Sequence, residues 1–357
     1  MTQNKIYAVQ SYNDYIFEDT RPTKKSKLSD LDEEEIKKYI DKVKSDKSKF
    51  SENDFFTNLQ LTGIADKLDD NIIPTLAGTM IFGKYPQAFY PQLFVACAVI
   101  PGTQLGEVGS LGERFIDNKR VEGTIEEMLD EVINFVRRNM KTRVIIDSSG
   151  KRNDRTEYPI EAIREAVANA LIHRDYSYQT ENAFISVYMY QDRIEILNPG
   201  SLYGSNKLEK LGTATIMESR NPTIVRILED KSSIIENRHS GIPTMKREME
   251  KYNLPEPEFY EERGSFKVIF RNNYSFDDES EHQSEHQSEH QIEKYKSMLL
   301  NFCKTPKTSK EIRQFLKLKS RQYVSIYIIN PLITEGKLDY TDKNNIKSKN
   351  QKYVTLI

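Results

Sequence analysis

Within YPIEAIREAVANALIHRDY, residues 158–176, three polar side chains recur at four-residue intervals: Glu165, Asn169 and His173. Wound at 100° per residue, they fall within about 80° of one another, along the margin of a stripe made by Ala162, Ile163, Ala166, Val167, Ala170 and Leu171. A carboxylate and an amide one turn apart can face a shared pocket. An amide oxygen is a hard ligand suited to Mg²⁺, and a neighbouring carboxylate can take a proton from water attacking a phosphate. The same spacing also arises where polar residues merely border a buried helix, with His173, Arg174 and Asp175 closing its end. The residues alone leave both readings open.

The elements around this helix define an α+β chain. Strands are expected at FISVYMY and RIEIL, joined by a tight hairpin at Gln191-Asp192. After a long loop, Asn221-Pro222 supplies an N-cap and a first-turn proline for a helix over TIVRILED, and FKVIF is a closing strand. Upstream, the pattern predicts a short amphipathic helix from Phe55 to about Leu68. It is followed by the apolar segment TLAGTMIFG, opened by Pro74-Thr75, and by a strand in QLFVACAVIPG that ends in a Pro-Gly turn. TIEEMLDEVINFVRRNM then reads as a helix with Thr124 as N-cap and Glu127 at the capping-box position. Residues 30–49 read as an exposed helix that contributes little core, laced by opposite charges at i,i+4.

The chain of 357 residues is long enough for two or three compact units, and its 37% hydrophobic content supports buried cores. No stretch approaches the roughly 20 consecutive apolar residues of a membrane span, and MTQNKIYAVQ lacks the order of a secretory signal, so a cytoplasmic protein without a membrane partner is expected. Cys97 and Cys303 have neither disulfide nor zinc spacing and read as core residues. The repeat in DDESEHQSEHQSEHQ has no apolar content and reads as a linker. His282, His286 and His290 would align if that stretch were helical, but nothing except the repeat positions them. The expected division is an amino-terminal piece (1–50), an α/β connecting unit (51–146), a central domain (147–272), the linker (273–291) and a carboxy-terminal domain (292–357).

Charge is distributed unevenly along that division. Residues 291–357 carry fourteen Lys or Arg against five Asp or Glu, so a chain of net charge −2 has a basic end on an acidic body. That asymmetry points to a polyanion partner at one end. The spacing there predicts helices at IEKYKSMLLNFC, SKEIRQFLKL and RQYVSIYIINPLITEG, then strands at LDYT and KYVTLI, the pattern of a winged helix. Thr308 and Ser309 mark the start of the second helix, with Glu311 in its first turn. Ser320, Arg321, Gln322 and Tyr323 would open the third helix and meet double-stranded DNA, while Lys343, Lys347, Lys349 and Lys352 would contact phosphates. A protein-binding winged helix with a solvated basic face is the other reading.

The strings REAVANALIHRDY, DRIEILNPG, RNPTIVRIL and SGIPTM, in this order, resemble the bacterial RecG C-terminal-like, or GHKL-like (Bergerat), ATPase domain. PTLAGTMIFGKYPQAFYPQ and GTIEEML resemble the region joining a Schlafen AlbA-type domain to it, and IYAVQSYNDYIFEDTRP resembles the close of such an AlbA-like domain. The resemblance covers about residues 55–272. The basic end resembles the winged helix that closes the same group of transcriptional regulators and some Fic proteins, in SKEIRQFLKLKSRQYV, NPLITEGKL and KSKNQKYV. The resemblance implies a GHKL-like α/β sandwich that binds ATP or ADP with Mg²⁺ and a homodimer as an expected partner. It implies Glu165 as general base, Asn169 as Mg²⁺ ligand, and Asn198 and Gly200 at the adenine-holding turn. Ser240 and Gly241 would lie near the phosphates, with His173 beside the same site. Two departures stand out. Asn198 replaces the Asp that accepts from the adenine amino group, and RHSGIP holds one glycine where active members hold two or three. No Gly-x-x-x-x-Gly-Lys-Ser/Thr loop is present, so no helicase motor follows. The expected function is a DNA-binding transcriptional regulator whose degenerate nucleotide domain senses nucleotide or dimerises. A Mg²⁺-dependent ATPase in DNA repair or defence and a purely structural interaction protein are the alternatives.

Overall fold

Thr124 starts its helix as its spacing predicts: its Oγ1 accepts from Glu127 N at 3.3 Å, and the Glu127 carboxylate accepts from Thr124 N at 2.8 Å. The computed structural model describes residues 17–109, 111–146, 152–213, 218–231, 241–272, 295–316, 324–341 and 351–356. The chain divides into two units, residues 1–276 and 277–357.

The first unit opens with α1 (Glu33–Asp46), capped by the Asp32 carboxylate, and α2 (Phe55–Leu61). The hairpin β1 (Ala65–Leu68) and β2 (Asn71–Pro74) leads into α3 (Leu76–Phe82), where Thr75 Oγ1 accepts from Gly78 N. Then come β3 (Val95–Val99), β4 (Asp117–Val121), α4 (Ile125–Asn139), the pair β5 (Thr142–Ile146) and β6 (Arg152–Thr156), and α5 (Ile160–Ile172). The hairpin β7 (Ile185–Met189) and β8 (Arg193–Pro199) follows, then α6 (Pro222–Lys231), α7 (Gly241–Lys251), β9 (Glu258–Glu262) and β10 (Ser265–Arg271). Six strands form one sheet in the order β4-β3-β7-β8-β10-β9, antiparallel except where β3 runs parallel to β7. Helix α4 lies against β3 and β4, α5 against β8, and α7 packs on α5.

Three expectations are corrected. The helix predicted to reach Leu68 ends at Leu61, because Gly63 turns the chain at φ +72° and the backbone then enters β1. The helix over 30–49 does supply core: Ile36, Tyr39, Ile40 and Val43 are all buried, on the i, i+3, i+4, i+7 face that its charged residues obscured. Finally, the Asn221 side chain does not cap α6. Its Nδ2 donates to the carbonyls of Ile172 and Arg174, both at 2.8 Å, and so ties down the end of α5.

The cap of α6 comes from 204 residues away. Asp19 is fully buried, and its Oδ2 accepts from Thr223 N at 2.7 Å and Ile224 N at 3.0 Å. The segment that carries Asp19 runs along α3, with Leu76 N donating to Arg21 O and Thr23 N to Pro74 O. Arg21 pairs with Glu181 and its guanidinium stacks 4.2 Å from the Tyr178 ring. α3 is equally close to its neighbour: a Cβ on Gly78 would stand 1.9 Å from the Ile64 carbonyl oxygen, so only glycine lets these backbones meet.

The second unit holds α8 (residues 295–302), then β11 (Lys307–Thr308) and α9 (Ser309–Phe315), with Thr308 and Glu311 forming a capping box. The helical runs Val324–Ile329 and Asn330–Thr334 precede β12 (Leu338–Tyr340) and β13 (Lys352–Thr355). These three strands pair in the order β11-β13-β12. Leu299, Cys303, Ile312, Leu316, Val324, Ile328 and Leu332 form a core of their own. Cys97 is buried in the first unit; burial pushes its thiol up to about 12 and that of Cys303 up to about 11, so neither is a thiolate at neutral pH. No helix among the described residues is long and apolar enough to cross a membrane.

Burial outweighs the two amide donors at Asp19 and pushes its pKa up to about 6. The folded state therefore holds a proton that the unfolded chain releases near pH 4, and this residue's contribution to stability falls as pH rises from about 4 to about 6. Asp19→Asn, which keeps an acceptor for both amides, is expected to remove that dependence. Urea unfolding at pH 4.5 and pH 7 should show the wild type losing stability relative to the Asn variant; an unchanged difference counts against it. Asp19→Ala uncaps α6 and should cost about 1–2 kcal/mol at either pH.

Candidate functional site

Helix α5 is enclosed along most of its surface. Ala162, Ile163, Ala166, Val167, Ala168, Ala170, Leu171 and Ile172 are buried, while Glu165 and Asn169 remain half-buried at the margin, as their spacing requires. Asn169 Nδ2 donates to Glu165 Oε1 at 3.3 Å, which leaves the Asn169 oxygen as an acceptor. Burial raises the Glu165 pKa, offset in part by that amide, so its carboxyl holds a proton to higher pH than an exposed glutamate.

Gly241, the first residue of α7, closes over this pair. A Cβ there would lie 2.3 Å from Glu165 Oε1 and 2.9 Å from Asn169 Nδ2. Only a glycine allows the backbone of α7 to approach the two side chains this closely. Carboxylate, amide and glycine backbone thus form one cradle. Ser240 lies outside the described residues.

His173 is the C-cap residue of α5. It is exposed, yet crowding by protein and then the positive charge of Arg220 push its pKa down to about 4. Sequence reasoning overlooked Arg220, although it opens the quoted string RNPTIVRIL. Its guanidinium pairs with Asp175 at 2.7 Å and donates to Ser201 O at 2.5 Å. Gly200 bends the chain there at φ +109°, and a Cβ on it would stand 2.4 Å from Asp175 Cβ, so this turn also depends on glycine. Asn198 precedes it on the helix-facing side of β8 with Ile194 and Ile196, 7% exposed. Asn198 Oδ1, Ser219 Oγ and Arg220 Nε are all buried without a hydrogen-bond partner. Buried polar atoms normally have partners, so each of these three is an exception.

Residues 182–270 match the family described as "Putative ATP-dependent DNA helicase recG C-terminal". The chain carries an ATPase-like domain. Its matched part takes in β7, β8, α6, α7, β9 and β10 but stops short of α5. A second stretch, residues 8–96, matches a family described only as a domain of unknown function (DUF8451). No curated protein matches the sequence. Among solved structures, the DIP2311 protein from Corynebacterium diphtheriae is similar in fold, with a TM-score of 0.52 at 15% identity over 90% of this chain. This chain spans 61% of that protein's length. The mixed six-stranded sheet with α5 and α7 beside it agrees with a GHKL-like ATPase fold.

In the second unit, Ser320, Arg321, Gln322, Tyr323, Lys343, Lys347 and Lys349 lie outside the described residues, as do the repeat and its histidines. Lys352 opens β13 and is exposed.

With its pKa near 4, His173 should be neutral throughout the physiological range. NMR titration of the imidazole should give a midpoint about two units below an ordinary histidine, and Arg220→Met should raise it while crowding keeps it below the usual value. A wild-type midpoint above 6 would remove His173 from any crowded recess.

Proposed function

We propose that this chain is a nucleotide-responsive DNA-binding regulator, in which the ATPase-like domain binds a purine nucleotide with Mg²⁺ and turns it over slowly or not at all. The observation that carries the nucleotide reading is the cradle of Glu165, Asn169 and Gly241: a hard oxygen ligand, a carboxylate and a glycine backbone meet where a Cβ would not fit. Asn169 would supply an oxygen to Mg²⁺, and the bound metal would neutralise phosphate charge. Asn198 and Gly200, at the far end of α5, would hold the base, and His173 and Arg220 would line the recess between.

The DNA-binding half rests on the second unit. Its helix, strand, helix, helix, hairpin order and β11-β13-β12 pairing fit a winged helix, and the basic excess of residues 291–357 fits a phosphate backbone. Ser320 to Tyr323 would read bases, and Lys343, Lys347, Lys349 and Lys352 would contact phosphates. A homodimer through the ATPase-like domain would place two such units on one duplex.

A second reading, a Mg²⁺-dependent ATPase, is favoured by one observation. A glutamate whose pKa is raised by burial is a stronger base than an exposed one, as proton abstraction from water requires. In that case hydrolysis would rise with pH as Glu165 loses its proton.

Calorimetry with Mg²⁺ and adenine nucleotides tests the pocket. Asn169→Ala should abolish the metal-dependent part of binding, whereas Glu165→Ala should retain binding and lose any residual hydrolysis. Turnover of several per second, lost in Glu165→Ala, would favour the enzyme reading. Absence of heat at millimolar nucleotide would eliminate the pocket.

For the second unit, the expected outcome is duplex binding by residues 292–357 that weakens steeply as salt rises. Arg321→Ala should reduce binding to a specific duplex more than Lys349→Ala does, since base contacts specify and phosphate contacts position. A folded unit that shifts no duplex at low salt would overturn the assignment.

A further inference from the structure

Resting on the nucleotide-site reading above, we infer that the base end of the pocket does not distinguish a 6-amino from a 6-oxo purine, so that guanosine and inosine phosphates enter it as adenosine phosphates do. The observation is the state of Asn198. The side chain lies on the helix-facing side of β8 at the strand's end, beside the Gly200 turn, and its Oδ1 is sealed from solvent without a donor. No hydrogen bond to that oxygen holds the amide in one of its two orientations.

A carboxylate at this place could only accept. It would take the 6-amino group of adenine and repel the oxygen of a 6-oxo purine. An amide can do either: Oδ1 accepts from an amino group, and after a half-turn Nδ2 donates to an oxo group. Leaving the group unpaired in a dry site is the costly option, so whichever base enters is met by the matching end. Local charge does not restore a preference. Arg220 and Asp175, beside the Gly200 turn, offset one another at 2.7 Å, and His173 is neutral at physiological pH. The base end therefore registers that a hydrogen-bonding group is present at C6, whichever sign it has.

The experiment is calorimetric titration of the full chain with the Mg²⁺ complexes of ATP, GTP and ITP. Inosine lacks the 2-amino group of guanine, so ITP isolates the change at C6. Dissociation constants for ATP and ITP within about tenfold of each other are expected. Asn198→Asp should keep ATP binding and weaken ITP by more than about tenfold. ATP binding with ITP more than about tenfold weaker in the wild type would overturn this inference while leaving the nucleotide site standing. Heat from none of the three would remove both together. The wild-type comparison decides the matter even if Asn198→Asp fails to fold, and circular dichroism of the variant separates that case from a loss of binding.

Discussion

The enclosure of α5 is the constraint on which the rest of the site depends. Alanines at 162, 166, 168 and 170 give it a slim profile, so α4, α7 and β8 can all approach it. A helix held on several sides cannot rotate, and the direction of its two marginal polar residues is set by the packing of the apolar ones. Glu165 and Asn169 acquire fixed positions at no conformational cost of their own. The glycine that opens α7 follows from the same closeness, since a wider spacing would leave room for any residue there. The amide of Asn221, bonded to the last carbonyls of α5, extends this control to the turn carrying His173, Arg174 and Asp175.

Local rules were legible in the sequence wherever the partners are near in the chain. The capping box at Thr124, the helix start at Thr308, the hairpin at Gln191-Asp192 and the polar margin of α5 all have partners within four residues, and each is present. Partners brought together by folding left no such mark. Nothing near Asp19 marks it as a cap, because the amides it accepts from lie 204 and 205 residues away, beyond α1 to α5. Strands β4 and β9 form the two edges of the sheet, and edge strands with charged residues read as loops when only apolar alternation is sought. The helix α1 was misread for a related reason: its charges lie outside and dominate its composition, while four apolar residues at core spacing supply its packing.

The candidate site was legible in part. Glu165, Asn169 and His173 were found from period alone, and Asn198, Gly200 and Gly241 from resemblance. Arg220 was overlooked because an arginine before Asn-Pro has no local reason to be singled out, and its bonds to Asp175 and Ser201 exist only in the folded chain. The two departures from the resembled ATPases act differently. A single glycine in RHSGIP still suffices for the close approach to Glu165, since only one position faces it. The amide at 198 changes the inventory of donors and acceptors relative to a carboxylate without changing the shape.

Asp19 lies in the stretch matched by the family of unknown function, and the helix it caps lies in the stretch matched by the ATPase-like family. Sequence comparison divides the chain there into two separate modules, but the hydrogen bonds do not. A recombination event that transferred residues 182–270 alone would leave the first turn of α6 open, and one that transferred residues 8–96 alone would bury a carboxylate with nothing to accept from. Each half would be a poor donation to another gene. Inheritance should therefore keep the two families together in one reading frame, and their co-occurrence across genomes would be a record of two hydrogen bonds.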